Sequence, residues 1–283
     1  MEVKKVGVIG CGVMGAGVAQ ICAQAKYQVV VKDIDMERVN KGINSINAFL
    51  TKSIEKGKIT ADDKTATLSR LKPTTDVKDL ADCDLIVEAV FEDLELKKKT
   101  FAELDKICKK DTIFITNTSA LSVIDIAKAT NRIDKLAGMH FFNPVPIMKL
   151  VEVIKTIATS DDTLKTAADF GKSLGKTIVI CKDTPGFIVS RLSMGLAINA
   201  IRLVENGVAT VEDVDNACVL GLNYPMGPLA MADFAGLDIL CRGAQDMYDK
   251  FGDAQYAPPV MLQKMVALGW HGRKTGRGFY QYK

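Results

Sequence analysis

The amino-acid sequence predicts an α/β protein: a doubly wound, mostly parallel sheet with a projecting helix pair, followed by a smaller all-α domain. Three observations carry this expectation. Short apolar runs alternate with helical stretches through the first half of the chain. One crossover, about residues 36–71, is unusually long and charged. From residue 187 onward the pattern is helical, with no convincing strand before the tail.

The apolar runs at 6–9, 28–32, 84–88, 112–116 and 135–139 are continuous and do not alternate, as expected of parallel strands covered on both faces. Helical stretches such as 14–25 and 94–109 lie between them. The crossover 36–71 is rich in Lys and broken near Gly57, which fits two helices. Its composition alone suits a solvated hairpin and a ligand-binding surface about equally. Two more β-like runs follow at 149–154 and 176–181. Asp183-Thr184-Pro185-Gly186 then breaks the pattern, because Pro followed by Gly continues neither element easily. The expected domains are 1–184 and 187–283.

A length of 283 residues allows both domains a real core. The chain has 37 basic and 34 acidic residues, a surplus too small to argue for nucleic acid. Its seven cysteines show no C-x-x-C pair and no metal-finger spacing, so neither a metal site nor a disulfide framework is expected. The apolar stretch 187–204 is interrupted by Arg191, Asn199 and Arg202. It reads as a buried or interface helix, not a membrane span. A strand begins almost directly after Met1, and a cytoplasmic location is the expectation.

Gly10-Cys11-Gly12-Val13-Met14-Gly15 is a G-x-G-x-x-G, weak as a string but here placed between a strand and a helix. Gly10 permits the tight turn. Gly12 lets backbone approach a pyrophosphate, and Gly15 lets the helix lie close to the strand. The helix start at Val13 and Met14 offers N–H groups and partial positive charge. Asp33 ends the second strand about 20 residues on, where a carboxylate binds ribose hydroxyls and repels a 2′-phosphate. A Rossmann-type domain holding NAD is therefore expected, with Lys32 able to soften the preference over NADP. A glycine turn beside a surface Asp is the bland alternative.

The chain has two histidines, His140 and His271. His140 ends the run 135–139, and open parallel sheets bind ligands at strand carboxyl ends. Imidazole suits general acid–base work on an alcohol/ketone pair. Glu152 stands in the apolar run Leu150-Val151-Glu152-Val153-Ile154, where a buried acid needs a partner. His140 is a suitable one, with Glu152 fixing its tautomer. The alternatives are a structural histidine and a solvent-facing edge acid. Asn117-Thr118-Ser119 follows another strand; by itself it also fits a helix-capping turn.

Assembled, these segments resemble the 3-hydroxyacyl-CoA dehydrogenase family, most of all its short, single-function 3-hydroxybutyryl-CoA members. The resemblance spans essentially the whole chain. It includes the glycine loop, Glu88-Ala89, Asn117-Thr118-Ser119, His140-Phe141-Phe142-Asn143-Pro144, and Lys149-Leu150-Val151-Glu152-Val153. It continues through Asp183-Thr184-Pro185-Gly186-Phe187, Tyr224-Pro225-Met226-Gly227-Pro228 and the tail Gly272-Arg273-Lys274-Thr275-Gly276-Arg277-Gly278-Phe279-Tyr280.

The resemblance implies reversible hydride transfer between NAD(H) and a short (S)-3-hydroxyacyl-CoA. It implies His140 as acid–base, Glu152 as its orienter, and Ser119 and Asn143 at the reacting oxygen. It places Glu92, Lys97, Asn117 and Ser119 at the cofactor, and Lys52 and Lys56 of the helix pair at CoA. It implies a homodimer, or a dimer of dimers, through the all-α domain. One departure stands out: Ser190 occupies the place where the family carries Asn. Ala120, where relatives often carry Ser, is a smaller one. Two other functions remain open on sequence: a dehydrogenase of free hydroxy acids or sugar acids, and a nucleotide-binding structural or sensor protein. Lys52 and Lys56 argue against the first, His140 and Glu152 against the second.

Overall fold

A computed structural model describes residues 2–282 and divides the chain into two compact units, residues 1–187 and 188–283. The first unit holds one eight-stranded sheet. Its strands are β1 (Lys5–Ile9), β2 (Gln28–Lys32), β3 (Leu71–Thr74), β4 (Leu85–Glu88), β5 (Ile113–Thr116), β6 (Leu136–Phe141), β7 (Leu150–Lys155) and β8 (Thr177–Lys182). Their order is β3-β2-β1-β4-β5-β6-β7-β8, with the direction of winding reversing between β1 and β4. Helices α1 (Val13–Gln24), α2 (Met36–Glu55), α3 (Ala61–Leu68), α4 (Leu94–Ile107), α5 (Val123–Ala127) and α6 (Asp161–Ser173) join them.

The apolar runs are continuous because successive strand residues enter different cores. Val29, Val31, Leu85, Val87, Ile113 and Ile115 pack with α1, α2 and α6. Val30, Ile86 and Phe114 pack on the opposite face with Phe101 and Leu104 of α4 and Ile126 of α5. Each such buried side chain contributes about 1.5–3 kcal/mol relative to exposure.

The first six strands are parallel, but β7 runs antiparallel to β6. A continuous apolar run reports burial on both faces, which the sequence reading took as the mark of parallel strands; the connection decides direction. Only residues 142–149 separate β6 from β7, too few for the crossover a parallel neighbour needs. The antiparallel register sets His140 directly opposite Glu152. β3 is an addition to the sequence reading. Its Lys72 and Pro73 lie in an edge strand, where proline is tolerated and helps block further pairing.

The helix pair 36–71 forms as α2 and α3. Asp35 caps α2 by accepting from the Arg38 N–H, and Thr60 and Asp63 form a reciprocal capping box on α3. Val39, Gly42, Ile46 and Leu50 make the buried face of α2 at helical spacing.

The second unit contains α7 (Val189–Glu205), α8 (Val211–Asn216), α9 (Pro228–Ala235), α10 (Leu237–Phe251) and α11 (Val260–Ala267) around Ile201, Leu229, Leu237 and Leu262. Two buried carboxylates tie down its tail. Asp215 accepts from Leu229 N, Ala230 N and the Tyr280 hydroxyl. Asp233 accepts from Phe279 N, Tyr280 N and the Tyr282 hydroxyl. Among the described residues no helix is long and apolar enough to cross a membrane.

Candidate active site

Several of the expected site residues stand at or just beyond the carboxyl ends of β1, β2, β4, β5 and β6. At the end of β1, Gly10 has φ +88°, which an L side chain rarely adopts, and a Cβ there would meet the Ala89 carbonyl. At Gly15 a Cβ would fall 1.7 Å from the Gly10 oxygen, so only glycine lets α1 start this close. Gly12 has open space where its Cβ would point, and as the first residue of the α1 cap it makes no side-chain capping bond. The first N–H groups of α1 thus have no side-chain cap, with Val13 largely exposed beside them. Asp33 accepts from Cys11 N and Ile34 N, both at 2.7 Å, which fixes its carboxylate against the loop. The loop, the open face at Gly12 and the carboxylate fit a dinucleotide's pyrophosphate and ribose.

Between β4 and β5 lies a network of buried charge. Glu88, fully buried at the end of β4, accepts from Lys97 Nζ (2.7 Å) and Val90 N (2.8 Å) through Oε1. Its Oε2 accepts from the Thr116 hydroxyl (2.7 Å). Lys97 Nζ also lies 3.4 Å from Glu92 Oε2. Glu92 Oε1 gathers the loop after β5: it accepts from Thr118 Oγ1 (2.5 Å), Ser119 N (2.8 Å), Ser119 Oγ (3.2 Å) and Ala120 N (3.1 Å). Burial pushes the Glu92 carboxyl up, but the Thr118 bond, the Lys97 charge and the two N–H groups outweigh it and hold it below the ordinary glutamate range.

Lys97, which the resemblance places at the cofactor, is 1% exposed, with its Nζ on Glu88 and 3.4 Å from Glu92. Helical phase is the reason: Lys97, Phe101 and Leu104 share the buried face of α4 at positions i, i+4 and i+7.

At the ends of β5 and β6, Asn117 Oδ1 accepts from Phe141 N (3.0 Å), continuing the strand connection beyond the last β5–β6 pair. His140 Nδ1 lies 2.7 Å from Glu152 Oε2, with both side chains buried. The Phe142 ring packs on the imidazole at 4.5 Å, and Phe187 at 5.8 Å. Phe142 and Phe187 carried no role in the sequence reading. Asn143 follows on an exposed turn.

Lys52 is exposed on the last turn of α2, and Lys56 is exposed just after it. Ser190 belongs to the second unit, in the first turn of α7. His271 Nε2 lies 3.3 Å from the Val266 carbonyl within that unit, which suits a structural histidine. Among the described residues no cluster of His, Cys, Asp and Glu could hold a metal.

Two family models match in succession: the NAD binding domain of 3-hydroxyacyl-CoA dehydrogenase over residues 5–184, and its C-terminal domain over 186–282. The chain belongs to the 3-hydroxyacyl-CoA dehydrogenase family. Its cofactor is NAD, and it is an NAD-dependent dehydrogenase. The 3-hydroxybutyryl-CoA dehydrogenase of Clostridioides difficile is 44% identical, the match covering 98% of this chain and 99% of that protein. A 3-hydroxybutyryl-CoA dehydrogenase of Bradyrhizobium diazoefficiens is 42% identical, covering 99% and 96%. The crystal structure of an (S)-3-hydroxybutyryl-CoA dehydrogenase from Ralstonia eutropha superposes with TM-score 0.98 at 40% identity, covering both chains fully. The family's two-part order, NAD-binding domain then C-terminal domain, follows the division at 187/188.

Proposed function

We propose that this dehydrogenase interconverts acetoacetyl-CoA and (S)-3-hydroxybutyryl-CoA, with His140 as general acid–base and Glu152 as its orienting partner. The observation that carries this reading is the 2.7 Å cross-strand contact between His140 Nδ1 and Glu152 Oε2. A carboxylate on Nδ1 leaves Nε2 as the proton-accepting atom of the neutral ring.

In the oxidative direction, Nε2 takes the 3-hydroxyl proton as the O–H bond breaks. Glu152 stays ionised and stabilises the imidazolium that forms. In the reductive direction the same proton returns to the ketone oxygen. Held at the glycine loop and Asp33, bound cofactor would supply the hydride acceptor as NAD⁺ or the hydride donor as NADH for C3. Ser119, whose hydroxyl makes only a long bond to Glu92, turns to the reacting oxygen, with Asn143 shaping the same pocket. Glu92 and Asn117 face the cofactor ribose and nicotinamide, Lys97 supports Glu92 from behind, and Asp33 selects NAD. Lys52 and Lys56 meet the phosphates of CoA. Ser190 replaces an Asn with a shorter arm and fewer donors. The second unit is the proposed pairing surface of a homodimer or dimer of dimers. Imidazole proton transfer supplies about 10²–10⁴-fold and positioning much of the rest.

The test is steady-state oxidation of NADH, and separately of NADPH, with acetoacetyl-CoA and with free acetoacetate. NADH and the thioester should each be preferred by about tenfold or more, the size of one well-placed charged contact. Equal efficiency with free acetoacetate would overturn the CoA assignment in favour of a free hydroxy acid substrate.

A further inference from the structure

We propose that Glu88 is a charge-balancing residue that sets how strongly the site prefers oxidised over reduced cofactor. This rests on the reading above that the nicotinamide lies beside Ser119 and His140. Glu88 touches no open surface. It is fully buried, and so is its partner Lys97, at 0% and 1% side-chain exposure. Only Glu92, the third charge of the cluster, reaches solvent, at 38%. Glu92 is also the member bonded to Ser119, through both its N–H and its hydroxyl.

The formal charges of Glu88, Lys97 and Glu92 sum to −1. Without Glu88 they would sum to zero, because the Lys97 ammonium would cancel Glu92. The 2.7 Å contact to Glu88, against 3.4 Å to Glu92, shows which carboxylate takes most of that cation. Water cannot screen the inner pair as it screens a surface pair. A net negative charge therefore emerges at Glu92, on the loop that faces the cofactor. Oxidised nicotinamide carries a positive charge and reduced nicotinamide carries none. A site of charge −1 favours the oxidised form; a neutral one loses that preference.

Merely structural roles predict something different. If Glu88 only held Val90, Lys97 and Thr116 in place, its loss would weaken both cofactor forms alike. The discriminating quantity is the ratio of Kd for NAD⁺ to Kd for NADH, which needs no acyl-CoA and no turnover. It is measured by titration of wild type, Glu88→Gln, and the double variant Glu88→Gln/Lys97→Met. Glu88→Gln should raise the ratio about fivefold, the effect of one unit charge across several ångströms of partly solvated protein. The double variant restores the sum to −1 and should return the ratio to within about twofold of wild type, because the ratio follows the summed charge and not either partner alone.

Equal weakening of both forms, or a double variant that stays shifted, would overturn the proposal. Should Glu88→Gln fail to fold, the double variant is compared with the same variant carrying Glu92→Gln, whose sum is zero. The same fivefold rise is then expected, and an unchanged ratio refutes the idea. Failure of either form to bind the wild type would instead overturn the cofactor site itself.

Discussion

Two fully buried glutamates, Glu152 and Glu88, stand on strands of one sheet, and their partners give them different work. Glu152 faces an imidazole across an antiparallel register. Glu88 faces an ammonium delivered by the helix that follows its own strand. A carboxylate opposite a group that gains and loses a proton is suited to proton handling. A carboxylate opposite a permanent cation fixes charge and position. Both are costly to bury alone, and each is stable only because its partner is present.

The largest expected effect tests the first pair. His140→Gln should lower kcat by about 10³-fold or more while NADH binding stays within about twofold, because the proposed acid–base group goes and the proposed cofactor site does not. Titration beside kinetics distinguishes this from general damage; equal loss of both would make His140 structural. Glu152→Gln should cost about 10²-fold in kcat, since the amide offers no charge to the imidazolium. If Glu88→Gln lowered kcat as much as Glu152→Gln did, the distinction between the two glutamates would fail.

A smaller effect concerns acid. The Glu92 carboxyl lies below its ordinary range in the folded protein. The stability it contributes is therefore present above the unfolded value of about 4.3 and is lost as pH falls through the lowered folded value. Glu92→Gln should remove that contribution at neutral pH and flatten the loss of urea resistance below about pH 4. An unchanged acid limb in Glu92→Gln would show that the Thr118–Ala120 loop is held by other groups. Smallest of all, Ser190→Asn should change kcat/KM only severalfold, about the worth of one hydrogen bond. A change of 10³-fold would put Ser190 at the centre of the chemistry.

The sequence exposed one glutamate and concealed the other for a physical reason. Glu152 interrupts an apolar run in its middle, so burial without a partner is visibly costly. Glu88 closes the run Leu85-Ile86-Val87-Glu88, a place where an acid ordinarily turns to solvent. The same reasoning would have reached it had Lys97 been phased with Phe101 and Leu104 on the buried face of α4. The glycine loop was legible because its backbone demands are absolute: φ +88° at Gly10 and a 1.7 Å clash at Gly15 admit little else. The direction of β7 and the existence of β3 were missed: the one needed the short 142–149 connection weighed against the continuous apolar run, and the other lies in an edge with few apolar residues. Which loop side chains converge, as Asn117 does on Phe141 N, depends on the register between strands and is visible only in three dimensions.

The most direct measurement is a crystal structure of the protein with NAD⁺ and acetoacetyl-CoA bound. The C3 oxygen should lie about 3 Å from His140 Nε2, on the same side as Ser119 Oγ, with the Glu152 contact retained. A C3 oxygen remote from the imidazole, or a His140 ring turned away from Glu152 in that complex, would contradict the assignment of this pair to the proton.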